Sequence, residues 1–335
     1  MNSAFVISLL FIVFFLFLFY FRAESDALSA YSNKLQVSIS FVGGNDPQKF
    51  LSSALAAPNR LGNHLFELAG LYGIAQTLAR TPVFWIEDEN YRRMLESTRE
   101  LVPGLVERFT VFYGKVPSTV VETKFHENAV HLTIHRELEI LSRRRDEILS
   151  YLRPPKTFKI LPTSDENTVV TCVHVRRGDF REVGYFSADP ELIRKALKHL
   201  EHRFAARTHL RLLTVLFGDD RKFMGGLFPN SIHSNSIFSR VKPTTKYFIS
   251  SNPPSEDLLY SSQHCDRVLI TAPVSTFGWW MGYLSKGNEV FYLDVRTVSD
   301  VLYESGKLTF DDFYPPKWTA LRLSADNSTL VESEN

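Results

Sequence analysis

An α/β fold built around a buried parallel sheet is the class this sequence predicts, on three observations. Short strand-length apolar runs alternate with helix-length runs through the second half of the chain. The strand runs, such as Val169–Val175 and Leu212–Phe217, are almost continuously apolar, as strands covered on both faces must be. Polar residues and glycines follow those runs, where the loops beyond the carboxyl ends of a parallel sheet collect ligands. A length of 335 residues suits two domains at roughly 100 to 200 residues each.

Composition removes several function classes. With 44% hydrophobic and 22% charged residues the bulk of the chain can bury a core, so it is not a disordered polymer. The balance of 38 basic against 37 acidic side chains gives no overall pull toward nucleic acid. Cys172 and Cys265 are too few for a disulfide scaffold or a four-cysteine zinc site, and make at most one bridge.

Taken in order, residues 1–3 form a short stub and residues 4–21, from Ala4 to Phe21, an uncharged run with Ser8 as its one clearly polar residue. As a helix that run is about 27 Å long, close to the hydrocarbon thickness of a bilayer. It exceeds the apolar stretch of a cleaved secretory signal, lacks a basic leader and ends on Tyr20, Phe21 and Arg22, so the uncleaved anchor is the better reading. Arg22 is offset by Glu24 and Asp26, and charge does not orient the anchor. A polar stem occupies 22–48. The first globular domain is expected over 49–153, the second over 154–324 after the Pro154-Pro155 pair, and a polar tail over 325–335. The tail carries the glycosylation sequon Asn327-Ser328-Thr329.

Within the first domain, Phe50–Ala57 leads into Pro58-Asn59-Arg60-Leu61-Gly62-Asn63, after which Leu65, Leu68, Ala69, Tyr72, Ala75 and Leu78 recur at helical spacing. A glycine loop at a helix N-terminus presents free N–H groups and the positive dipole end, so Arg60, Gly62 and Asn63 can hold an anion; an ordinary turn capped by Asn is the alternative. A strand at Val83–Ile86 and a mixed stretch follow, then a charged helix over Glu137–Leu152. On that helix Arg143, Arg144 and Arg145 read as a solvated face among acidic neighbours. His131 and His135 have helical metal spacing but no evident third ligand.

The second domain predicts strands at Val169–Val175, Leu212–Phe217, Tyr247–Ile249, Val268–Thr271 and Val290–Leu293, with helices at Pro190–Arg203, Ser255–Ser262 and Phe277–Leu284. Its sharpest chemical signal is His174-Val175-Arg176-Arg177-Gly178-Asp179 at the end of the first strand. Paired guanidinium forks that cannot deprotonate suit a diphosphate, Gly178 permits close backbone approach, and Asp179 can orient an arginine. A surface ion-pair cluster and an Arg-Gly-Asp adhesion tripeptide are the competing readings. Cys172 and Arg177 miss the spacing of a phosphatase loop by one residue, which leaves Cys172 as inert core. Asp219-Asp220 can bind a metal, accept from a sugar or base, or cap a turn, and Ser275-Thr276 can hold phosphate or simply cap a helix. No phosphate-loop lysine motif occurs, so nucleotide hydrolysis of that type is unsupported, and with no D-x-D triplet arginine would have to replace a metal at any nucleotide diphosphate.

Together, N-R-L-G-N-H at Asn59–His64, H-V-R-R-G-D at His174–Asp179, S-T-F-G-W-W at Ser275–Trp280 and F-Y-P-P-K-W at Phe313–Trp318 resemble the galactoside α-1,2-fucosyltransferase family in order and spacing. The resemblance implies a GT-B-type fold, in which two Rossmann-like domains face a cleft behind an N-terminal transmembrane helix. It also implies GDP-fucose as donor, a β-galactoside glycan as acceptor, no cofactor or metal, and a Golgi membrane anchor of type II with the catalytic part lumenal. Carried over, Arg176 and Arg177 are the catalytic pair, with His174 and Arg176 at the diphosphate and Asp179 supporting the loop. Ser275 and Thr276 donate to phosphate, Arg60, Gly62 and Asn63 close over the donor, and Asp219 serves the nucleoside or a support role. Asn59 and His64 depart from the family's usual glycine and glutamine. Protein O-fucosylation and a glycan-binding protein without turnover are the runner-up functions. No side chain stands out as the base; Glu67, Glu87 and Asp88 are candidates.

Overall fold

The computed structural model describes residues 50–115, 141–204, 210–228, 232–233 and 246–333. The expected anchor, stem and His131–His135 pair lie outside the described residues, and no described helix is long and apolar enough to cross a membrane.

The first part is a small all-parallel sheet, β1 (Phe50–Leu51), β2 (Thr81–Ile86) and β3 (Thr110–Tyr113), in the order β1-β2-β3. Helix α1 (Leu61–Thr77) crosses from β1 to β2, and α2 (Glu89–Arg99) and α3 (Pro103–Val106) from β2 to β3. The strand expected from Phe50 onward is only two residues long, and the chain runs as a loop from Ser52 to Arg60. Asp88 caps α2 by accepting from the N–H groups of Asn90 and Tyr91, at 2.7 and 3.4 Å. The expected helix at Glu137–Leu152 is interrupted at Arg144, with α4 spanning Arg145–Ser150.

The second part is an eight-stranded sheet of β4 (Thr168–Val175), β5 (Arg211–Gly218), β6 (Ile232–His233), β7 (Tyr247–Ile249), β8 (Arg267–Ile270), β9 (Glu289–Leu293), β10 (Thr319–Leu323) and β11 (Leu330–Glu332). Its order is β11-β10-β9-β8-β4-β5-β7-β6, parallel except for the β10–β11 hairpin. Relabelled in chain order with the short β6 and β11 left out, the strands run 3-2-1-4-5-6, the dinucleotide-fold order. The helices are α5 (Gly178–Val183), α6 (Pro190–Phe204), α7 (Arg221–Leu227), α8 (Pro254–His264), α9 (Thr276–Leu284), α10 (Val301–Glu304) and α11 (Phe310–Phe313). The segment expected as a polar tail therefore returns to the sheet: Leu330 is 2% exposed, and β11 covers the edge of β10.

Side chains on β4 alternate as a strand covered on both faces requires. Val170 and Cys172 enter one apolar cluster, and Val173 and Val175 enter the other beneath α6. The first of these clusters is continuous with the core of the small sheet, through α1 and α9. Phe66 of α1 lies 4.6 Å from the Trp279 ring and 5.2 Å from Trp280. The F-Y-P-P-K-W segment braces the far side of α9. Trp279 Nε1 donates to the Phe313 carbonyl at 2.7 Å, Trp318 lies 5.5 Å from Trp279, and Tyr314 stacks on Tyr292 at 4.1 Å. Arg145 does not lie on a solvated face. It donates to the carbonyls of Tyr283 and Ser285, both at 2.7 Å, and so closes the carbonyl end of α9. Cys172 and Cys265 form a disulfide between β4 and the chain entering β8, with Cα atoms 5.6 Å apart.

Candidate active site

In a doubly wound sheet the ligand crevice opens where the strand order reverses, which here is between β4 and β8. The loops leaving these two strands are 176–179 and 271–275. The N-terminus of α1 meets them. A Cβ built on Gly62 would lie 2.7 Å from both the Phe277 nitrogen and Thr276 Oγ1, so any side chain there strikes the backbone at the start of α9. Two helix N-termini from distant parts of the chain thus converge, and α1 carries neither a capping side chain nor an acidic residue in its first turn. Asn63 sits inside that first turn rather than at the cap, a position held by Arg60. Such a pair of N-termini is a place for an anion.

The arginines are tightly partnered. Arg176, whose side chain is 16% exposed, pairs with Asp179 at 2.5 Å and with Asp219 at 3.3 Å. Asp179 also pairs with Arg60 at 3.2 Å, a largely exposed bridge that contributes little stability but spans the two parts of the chain. Asp219 accepts from the Arg177 backbone N–H at 2.9 Å, so both of its oxygens engage the 176–179 loop. A Cβ on Gly178 would lie 2.6 Å from Asp219 Oδ2, which explains the glycine. The Arg177 guanidinium lies over the Phe223 ring, 3.7 Å from its centroid, and donates to the Ala188 carbonyl at 3.1 Å, with Asp220 at 3.6 Å. Asp220 itself caps α7 through the Phe223 N–H. Three arginines and three aspartates share the site, which is near neutral before any ligand arrives. A depression of about 380 Å³ opens beside them, lined by Arg177, Gly178, Arg181, Glu182 and Asp220.

His174 and Ser275 lie below this surface, at 1% and 3% exposure. Ser275 Oγ accepts from the Gly278 N–H and caps α9, and His174 Nε2 is 3.4 Å from the same oxygen. A Cβ on Gly278 would meet His174 Nδ1 at 2.7 Å, so the glycine makes room for the imidazole. His174 therefore sits as a floor under the α9 N-terminus. Burial pushes its pKa down to about 3. The unfolded chain takes up its proton near pH 6.5 and the folded chain only near 3, so this contribution to stability is complete above about 6.5 and declines as pH falls. Acid unfolding of the wild type is expected to steepen by about 1.4 kcal/mol per pH unit in that window relative to His174→Asn. Parallel stability curves for the two proteins between pH 6.5 and pH 4 would remove the buried neutral histidine.

Of the three carboxylates considered as base, Asp88 is occupied as a cap and Glu87 is exposed beyond β2. Glu67 is half-buried, accepts from the Ala56 N–H at 3.1 Å, and has its pKa raised by desolvation. Sequence reasoning missed the segment 184–188, which bonds the Arg176 carbonyl and the Arg177 guanidinium, and Asp300, which accepts from Phe186 within it. An aspartate ahead of Val301-Leu302 reads as a helix cap, and nothing in the linear order joins it to residues more than a hundred positions earlier.

Glycosyl transferase family 11 has a family model that matches residues 115–322. The Caenorhabditis elegans protein named "Putative galactoside 2-alpha-L-fucosyltransferase svh-11" is 40% identical over 310 residues, covering 86% of this chain and 84% of its own. "Putative glycosyltransferase C06E1.7" of the same organism is 36% identical, over 85% and 83% of the two chains. A C. elegans galactoside 2-alpha-L-fucosyltransferase is 28% identical, over 81% and 79%. No solved structure matches this chain.

Proposed function

Because this chain belongs to glycosyl transferase family 11 and is a fucosyltransferase, we propose that it moves L-fucose from GDP-β-L-fucose to the 2-hydroxyl of a β-galactoside, leaving an α-1,2-linked fucose with inverted configuration. The observation that carries this reading is the meeting of the α1 and α9 N-termini at Gly62 and Thr276, beside Arg60 and Arg176. A nucleoside diphosphate suits that place: its charge is met by N–H groups, the Thr276 hydroxyl and guanidinium forks, with no divalent ion required. Residues 49–153 then act as the acceptor side and 154–324 as the donor side of a GT-B-type enzyme.

In the reaction the bond from the fucose anomeric carbon to the β-phosphate oxygen breaks as the galactose 2-oxygen attacks from the opposite face. The electron pair leaves with GDP, and the acceptor hydroxyl gives up its proton to solvent water as the new bond forms. Arg176 stabilises the departing charge by exchanging part of its contact with Asp179 for a phosphate oxygen, and Arg60, which shares that carboxylate, follows it. Arg177 keeps the loop in shape through Phe223 and Ala188. His174 supports the Ser275 cap from below, and Asn63 borders the donor from α1.

The setting proposed is the Golgi lumen, behind a type II anchor at 4–21. The Cys172–Cys265 disulfide supports an oxidising compartment. Asn327, exposed in the turn between β10 and β11 with φ of 57°, is open to glycosylation.

Incubation of the purified protein with GDP-fucose and an array of β-galactosides, other glycans and folded protein domains is expected to yield α-1,2-fucosylated galactosides, at undiminished rate in excess EDTA. Transfer confined to folded protein domains would replace the acceptor by a protein hydroxyl. Activity abolished by EDTA and restored by Mn²⁺ would discard the metal-free site.

A further inference from the structure

We propose that Asp300 is a positioning residue for the arginine pair, acting through the segment 184–188 that it pins behind the end of β4; this rests on the reading of the site as a GDP-fucose site. Its carboxylate is fully buried, and three backbone N–H groups donate to it. Oδ1 accepts from Leu302 and Tyr303, at 2.9 and 3.3 Å, as the cap of α10, while Oδ2 accepts from Phe186 at 2.7 Å. A second tie runs from the Val301 N–H to the Gly184 carbonyl at 3.2 Å.

The same segment grips both arginines from its other side. Ser187 Oγ donates to the Arg176 carbonyl at 2.8 Å, and the Ala188 carbonyl accepts from the Arg177 guanidinium at 3.1 Å. Gly184, at φ of 81°, turns the chain from α5 into this strap. The path from Asp300 to the site is therefore continuous: carboxylate to Phe186, along one peptide to Ser187, and on to Arg176. The hydrogen bonds of a buried carboxylate are short and directional, so the strap, and with it the aim of Arg176, has little freedom.

Asp300→Asn isolates this role. Asparagine retains an oxygen for the α10 cap, where it is a good capping residue, but turns an amide N–H₂ toward the Phe186 N–H in place of an acceptor. Loss of a hydrogen bond to a charged group corresponds to roughly tenfold or more in an equilibrium. We expect the dissociation constant for GDP, measured by calorimetry, and the KM for GDP-fucose to rise by about that factor while the acceptor KM stays put. Ser187→Ala, which cuts the strap from Arg176, should do the same, and the double variant should be no worse than the stronger single one, because both act along one path. Wild-type GDP affinity in folded Asp300→Asn, or additive losses in the double variant, overturns the proposal. Where Asp300→Asn does not fold, unchanged GDP affinity in Ser187→Ala overturns it equally. A wild-type protein that binds no GDP defeats the reading of the site itself, and the positioning role falls with it.

Discussion

Arg176→Ala is expected to abolish fucose transfer in a protein that still folds. One preorganised donor aimed at a developing anion supplies about 3 to 4 kcal/mol, a factor of about 100 to 1000 in turnover. The geometry adds a second loss. Arg176 stands between Asp179 and Asp219, so its removal leaves two carboxylates without their guanidinium partner at the place proposed for the diphosphate. Arg176→Lys restores the charge without the planar fork and should recover only part of the rate. The measurement is kcat and the KM for GDP-fucose on variants shown to be folded by thermal unfolding. A folded Arg176→Ala with near-normal turnover would assign the guanidinium to loop structure alone.

The second large effect is on stability. Replacing both Cys172 and Cys265 by alanine opens a loop of 93 positions, for which the chain-entropy account gives about 4 to 5 kcal/mol. Against the 5 to 15 kcal/mol of a typical domain, about a third or more of the stability goes with it. The bridge ties β4, two residues before His174, to the turn between α8 and β8, the two strands that bound the crevice. The thermal midpoint is expected to drop by on the order of 10 °C, with activity falling in parallel on heating. The same midpoint with and without the bridge would show that the reference chain is already constrained by other means.

Much of the site was legible because parallel sheets place function in a narrow set of loops. The Arg176–Asp179 loop follows a buried apolar strand, and Ser275-Thr276 precede a helix with an apolar face, so periodicity alone pointed to both. The five strands expected in the large sheet likewise agree with their apolar runs to within about two residues, since burial on both faces leaves few polar interruptions, whereas β6 and β10 were not expected. Less was legible where burial is partial. β3 is four residues long and no residue in it is buried, and β11 is three residues long with Leu330 its one buried side chain. Arg145 sits in a run of charge that resembles any solvated helix face, and only the docking of α9 turns it into a cap.

From sequence alone came five strands and three helices of the large-sheet part in their order, α1 and β2 of the small one, the residue types at the strand tips and the family they match, since these depend on local pattern and on which side chains can take up phosphate charge. The tertiary structure decided how they are arranged: that the N-termini of α1 and α9 meet, that His174 lies beneath the surface, that each arginine is already held by a carboxylate, and that Asp300 bonds Phe186 in the segment that grips both arginines. Those facts depend on contacts between residues far apart in the chain, which take their form only when the sheet closes and brings the loops together.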